Sequence, residues 1–123
     1  MSDRSPYHWH RVGEDAVSPA VLAAVKAFAA APDDAAIVLL SGRDSVCRPE
    51  TEEWLARHEV PYDELYMRPE GNNRKDSIVK AELFDRHIRH RYRILAVLDD
   101  RDQVVRMWRR MGLVCFQVAE GDF

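Results

Sequence analysis

Several common protein classes are excluded by what this 123-residue chain lacks. It has only two cysteines, Cys47 and Cys115, with no repeated spacing, so no disulfide framework holds it and its thiols read as reduced. No hydrophobic run is long: AAIVLL (35–40) and ILAVL (94–98) are the longest, far short of the ~20 residues that span a bilayer. The opening MSDRSPYHWHR lacks the apolar segment of a signal peptide. There is no excess of positive charge, the net being -3, which argues against a protein that coats nucleic acid but leaves room for a pocket handling one phosphate end. Low-complexity tracts, internal repeats and linkers are also absent. The expectation is a soluble, cytoplasmic single domain over residues 1–123, long enough for one core.

What is present alternates. Ser18-Pro19 reads as an N-cap followed by proline at the first helical position, and Val21, Leu22, Val25, Phe28 and Ala29 repeat at helical spacing over 19–31. AAIVLL follows as a strand buried on both faces. Residues 49–58 read as a helix with Trp54 and Leu55 inward, and 64–67 as a weaker strand. A long helix begins near Lys75 with Ile78, Val79, Leu83, His87 and Ile88 inward; ILAVL is another buried strand. Residues 101–111 form a helix with Val104, Val105 and Trp108 inside, Gly112 ends it, and LVCFQV (113–118) is the last strand. Helices alternating with apolar strands imply an α/β fold, a parallel sheet flanked by helices.

In such a sheet, ligands bind beyond the carboxyl ends of the strands. Strand 35–40 ends at Ser41-Gly42-Arg43-Asp44, strand 94–98 ends at Asp99-Asp100-Arg101, and Lys75 opens a helix on the same edge. Ser41 offers a hydroxyl, Gly42 a close-approaching N–H, and Arg43 and Lys75 positive charge for a phosphate. Paired carboxylates suit a hard cation such as Mg²⁺, which takes one or two protein carboxylates, waters and substrate oxygens. Each cluster has a plainer reading: a turn, a solvated lysine, and an aspartate N-cap. Their convergence on one rim favours a phosphate and magnesium site. Elsewhere the plainer readings hold. His8 and His10 around Trp9 read as loop packing, and Cys47 has no neighbouring histidine to activate it. The basic run RHIRHRYR (86–93) falls at a helix C-terminus, where positive charge suits the dipole and reads as a solvated face. Arg106, Arg109 and Arg110 read as the outer face of their helix.

With these residues placed, the sequence resembles the haloacid dehalogenase-like (HAD) phosphohydrolases, and within them the 3′-phosphatase domain of phage-type polynucleotide kinases. The resemblance runs over nearly the whole chain and is carried by LLSGRD (39–44), GNNRKDSIVKAELFDRHI (71–88) and LDDRDQVVRMWRRMGLVCFQVAEGDF (98–123). It implies that Ser41 and Arg43 contact the phosphoryl group, that Lys75 links phosphate and nucleophile, and that Arg4 reaches the same pocket. It implies further that Asp99 is a direct magnesium ligand, with Asp100 supporting it directly or through water.

One motif of the family is not found. Its first strand ends in Asp-x-Asp-Gly-Thr, whose first aspartate attacks phosphorus and whose second is general acid and base. Here Asp3 is the only carboxylate before Glu14, and no apolar strand precedes it. The family's central strand is therefore expected to be missing, as after a late-assigned start codon or a truncation. The chain is expected to show little or no phosphatase activity and weak or no magnesium binding. Closing the gap is expected to need direct strand pairing, strand exchange or a homodimer. The complete enzyme would act on a phosphorylated small molecule or a nucleic-acid 3′-end. Two alternatives stand beside it: a non-catalytic phosphate- or nucleotide-binding module, and one half of a split phosphatase.

Overall fold

The computed structural model describes residues 18–31 and 35–121. The readings made of Arg4, of the His8/His10 pair and of Asp3 lie outside the described residues. The element order is α1 (Pro19–Ala29), β1 (Val38–Asp44), α2 (Arg48–Arg57), β2 (Glu64–Arg68), α3 (Asp76–His87), β3 (Val97–Asp99), α4 (Asp102–Arg110) and β4 (Cys115–Gln117). The alternation is the one expected, and both strand pairs are parallel, β1 with β2 and β3 with β4. The chain divides into two compact units, one reaching Asn72 and the other beginning at Asn73. No helix among the described residues is long and apolar enough to cross a membrane.

In the first unit, α1 starts where the sequence indicates. The Ser18 hydroxyl accepts the Val21 N–H at 3.4 Å, and Pro19 occupies the first turn, where its missing N–H costs nothing. None of α1's residues is fully buried. The core of this unit is Leu55 of α2 with Leu65 and Met67 of β2, and Leu39, Trp54, Val60 and Tyr62 pack against them. The alternation of Leu65 and Met67 in β2 is the period-2 pattern of a half-covered strand. Asp63 fixes the start of the sheet: its N–H donates to the Ile37 carbonyl, and its carboxylate accepts the Ile37 N–H at 2.7 Å.

β1 differs from the expectation. It begins at Val38 and runs on through Ser41-Gly42-Arg43 to Asp44, so those residues lie in the last turn of the strand rather than after it. Ser41 pairs with Met67 and the next paired residue is Asp44, opposite Arg68; Gly42 and Arg43 form an irregularity in the ladder. The reason lies in Arg68, whose Nε donates to the Gly42 carbonyl at 2.6 Å where a backbone N–H would otherwise do so.

In the second unit, α4 buries one face completely. Val104 is 0%, Val105 1% and Trp108 2% exposed, all three as the helical spacing predicts. α3 packs on it with Val79, Leu83, Phe84 and Ile88 buried, and the Phe84 and Trp108 rings meet edge-on at 5.4 Å. The expected inward position Ile78 is instead 43% exposed, and Phe84 holds the buried place. Gly112 ends α4 at φ +88°, a conformation that disfavours residues with a Cβ, and the Leu113 N–H closes back on the Trp108 carbonyl. The strands here are shorter than the apolar runs suggest. Only Val97–Asp99 of ILAVLD and Cys115–Gln117 pair, while Leu95, Val114 and Phe116 remain more than half exposed. Burial on both faces requires packing on both, and among the described residues α4 supplies the main helical contact to these two strands.

Candidate phosphate and metal site

Within each unit, residues of an expected cluster come together. At the end of β1, the Ser41 hydroxyl accepts the Arg43 N–H at 3.1 Å, which leaves its own proton to donate outward. Asp44, 3% exposed, accepts the Val46 N–H at 2.8 Å and the Gly71 N–H at 2.9 Å. Arg68, 9% exposed, bridges the Gly42 and Asn72 carbonyls at 2.6 and 3.1 Å. Two buried side chains of opposite charge thus tie the Ser41–Asp44 segment to the Gly71–Asn72 turn, and Gly71 makes that turn at φ +77°. The Ser41-Gly42-Arg43 backbone is preset for a ligand, a condition for binding an anion without an ordering cost.

At the end of β3 the arrangement is ionic. Asp99 is a carboxylate with three donors: Lys80 Nζ at 3.1 Å and Trp108 Nε1 at 3.2 Å on Oδ2, and the Asp100 N–H at 2.9 Å on Oδ1. Lys80 also lies 3.7 Å from Asp76, and Asp76 lies 3.9 Å from Arg101. The Asp76, Lys80 and Asp99 side chains are 9%, 12% and 8% exposed, so this is a desolvated chain of alternating charge. Burial, reinforced by the Asp99 charge, raises the pKa of the neighbouring Cys115 thiol. Burial followed by the Glu50 and Asp44 charges does the same to Cys47. Neither thiol is poised as a nucleophile.

Lys75, the lysine the sequence singles out, is exposed at the N-cap of α3 and makes no side-chain cap bond. The lysine that reaches Asp99 is Lys80, one turn further along the helix. Sequence reading missed it because a lysine four residues after an aspartate looks like an ordinary surface pair. The available signal was its position: Lys80 shares a stripe with Phe84, on the side of α3 that packs. Arg68 was also missed, for it reads as the polar end of a weak strand.

The described residues contain no group of three or more histidine, cysteine, aspartate or glutamate side chains placed to hold a metal. The acid pair still offers one suitable donor. Asp99, expected as the direct ligand, already accepts three hydrogen bonds. Asp100 is half-buried, its N–H and carbonyl are engaged by Asp99 and Gln117, and its carboxylate accepts no hydrogen bond from the described residues. One open carboxylate fits magnesium, which keeps most of its waters and accepts substrate oxygens.

Comparison with known proteins agrees with this reading of the fold. A protein assigned as a bifunctional polynucleotide kinase/RNA ligase of Autographa californica nuclear polyhedrosis virus is 38% identical over 114 residues, 91% of this chain but 16% of its own length. Two solved structures of a Pnkp1/Rnl/Hen1 complex, one described as an RNA repair complex, superpose with TM-scores of 0.92 and 0.91 at 40% and 41% identity. They match 100% and 98% of this chain, which spans 39% and 42% of theirs. The model of the polynucleotide kinase PNKP phosphatase domain matches residues 1–123, so a chain with a serine-glycine-arginine segment at the end of one strand and an aspartate pair at the end of another belongs to that phosphatase-domain family.

Proposed function

We propose that this domain binds 3′-phosphate ends of RNA and is the phosphate- and magnesium-holding part of a phosphomonoesterase that works in an assembly with partner proteins. The supporting observation is the desolvated Lys80–Asp99 pair at the carboxyl end of β3, braced by Trp108 and Asp76, with Asp100 open beside it. RNA is the polymer named for the relatives. Ser41 donates to a phosphoryl oxygen, and the Gly42 N–H and the Arg43 side chain add donors to the same group. Lys80 holds Asp99 in place and supplies positive charge, taking the role the resemblance gave to Lys75. Asp100 would hold magnesium, which when bound would supply positive charge to neutralise a phosphate. Asp99 positions Lys80 and the backbone leading to Asp100.

No Asp-x-Asp-Gly-Thr motif is present among the 123 residues. Without that nucleophile these residues bind and orient a phosphate, and the chain alone turns over slowly. The missing motif also favours a second reading, a module that binds phosphate ends without hydrolysing them. Hydrolysis of p-nitrophenyl phosphate in Mg²⁺ by the 123-residue chain, with and without an added polypeptide carrying the family's first strand, separates the two. Activity gained on addition and lost again in Asp100→Asn supports the phosphatase reading. Turnover by the chain alone that persists in Asp100→Asn and Lys80→Met overturns the assignment of the site.

A further inference from the structure

The two helices of the second unit run parallel. Asp76 at the start of α3 lies beside Arg101 at the start of α4, Phe84 meets Trp108 midway, and Arg89 just past α3 touches the Met111 sulfur at 3.8 Å just past α4. Their C-terminal ends therefore coincide, at the end of the unit away from Asp99. Residues 85–93 and 105–112 place seven arginines there, Arg86, Arg89, Arg91, Arg93, Arg106, Arg109 and Arg110, against one acid, Asp85.

Three of the seven have structural employment. Arg89 pairs with Asp85 at 2.6 Å and stacks over Phe84, Arg91 donates to the His87 carbonyl, and Arg109 donates to the Cys115 carbonyl. The side chains of the other four, Arg86, Arg93, Arg106 and Arg110, are exposed and form no ion pair or hydrogen bond within bonding distance among the described residues, Arg86 having only the longer-range attraction of Glu82 one turn back. Helix dipoles do not account for them, since that attraction fades within the last turn and Arg93 and Arg106 lie beyond it on either side. The concentration is also local. Residues 73–123 hold eleven basic against eight acidic residues, whereas 1–72 hold seven against thirteen.

We infer that this arginine-rich end shared by α3 and α4 binds the phosphodiester backbone of the RNA strand whose terminal phosphate sits at the Asp99–Asp100 end of the same helices. The inference rests on the function proposed above and adds where the rest of the strand lies. From Asp76 to His87 the helix rises roughly 16 Å at ~1.5 Å per residue. That is about five phosphates at the ~3.4 Å spacing of a stacked strand. For Arg86, Arg93 and Arg110 the distance from the Asp99–Asp100 end also exceeds the ~8–10 Å screening length at physiological salt, whereas Arg106 lies about one turn into α4, so the group acts chiefly on a polymer and not on a small phosphate held at the site.

The test measures fluorescence anisotropy of 3′-phosphorylated RNA on the 123-residue chain, using probes of about twelve and about three nucleotides, the shorter unable to span the helices. In the Arg86→Gln/Arg93→Gln/Arg106→Gln/Arg110→Gln variant, affinity for the long probe is expected to fall tenfold or more. The salt slope should shrink by about 0.7 per lost phosphate contact, while binding of the short probe is unchanged. The same four positions changed to lysine are expected to retain most of the affinity. Wild-type affinity in the glutamine variant overturns the inference, as does an equal loss for both probe lengths. A larger loss for DNA than for RNA of the same sequence overturns the choice of polymer. Binding of polyglutamate that depends on these arginines while RNA binding does not reassigns the face to an acidic protein and also overturns it. A long probe ending in a 3′-hydroxyl that binds as tightly as the phosphorylated one refutes the end-recognition reading alone, and leaves the arginine dependence measurable.

Discussion

At the end of β1 the buried charges bond to backbone, whereas at the end of β3 they bond to one another. Asp44 and Arg68 reach the Val46 and Gly71 N–H groups and the Gly42 and Asn72 carbonyls. Asp99, Lys80 and Asp76 form a side-chain chain, with Arg101 at its margin. The first pattern shapes a segment of main chain, and the second fixes the position and charge of side chains. An anion held by N–H groups and a hydroxyl needs the former; a cation held by carboxylate needs the latter. The cores differ in step. α4 buries Val104, Val105 and Trp108 almost completely, while α1 buries nothing fully.

The difference is most severely broken at Trp108. Trp108→Ala removes the largest buried side chain of the second unit and is expected to cost about 3–5 kcal/mol, read as the shift in urea midpoint. Lys80→Met leaves Asp99 and Asp76 desolvated without their shared cation. It is expected to cost about 3 kcal/mol, part of which Asp99→Asn restores in the same background. Lys75→Met, by contrast, is expected to stay within ~0.5 kcal/mol, as for an exposed residue. Arg68→Met strips two carbonyls of their donor, with an expected cost of about 2 kcal/mol. Because the effect falls on the Ser41–Asp44 segment, phosphate binding should weaken while Mg²⁺ binding, followed by calorimetry, does not. The smallest effect concerns Glu82, where the hydrogen bond from Arg74 lowers the carboxyl pKa from its ordinary 4.5. A lowered folded pKa adds stability that is present above the ordinary value and lost as pH falls through the lowered one. Glu82→Gln should therefore lower stability slightly at neutral pH, leave it unchanged in acid below the lowered pKa, and so flatten the acid limb of the stability profile.

These features were unequally legible in the sequence. The inward face of α4, the Ser18 cap and the Gly112 stop depend on spacing and local backbone preference, which a sequence carries directly. The identity of the fold followed from the order of elements and from motif resemblance. Lys80 was not legible because its partner is nineteen residues away, and only the packing of α3 on α4 sets Asp99 beside it. The extent of β1 was hidden for a similar reason. Ser41-Gly42-Arg43 reads as a turn until Arg68, from the neighbouring strand, takes the Gly42 carbonyl and lets the ladder resume at Asp44. Apolar runs overstated β3 and β4, since a run records a preference for burial and not the partners that provide it.

The indole of Trp108 donates to the Asp99 carboxylate, and this equips the second unit with an optical reporter. Excitation moves electron density from the pyrrole ring toward the benzene ring, so a negative charge at the pyrrole nitrogen stabilises the excited state and draws emission to longer wavelength. Any event that neutralises or withdraws Asp99 should move the emission to the blue, and a phosphate or cation settling nearby could be followed by the protein's own light.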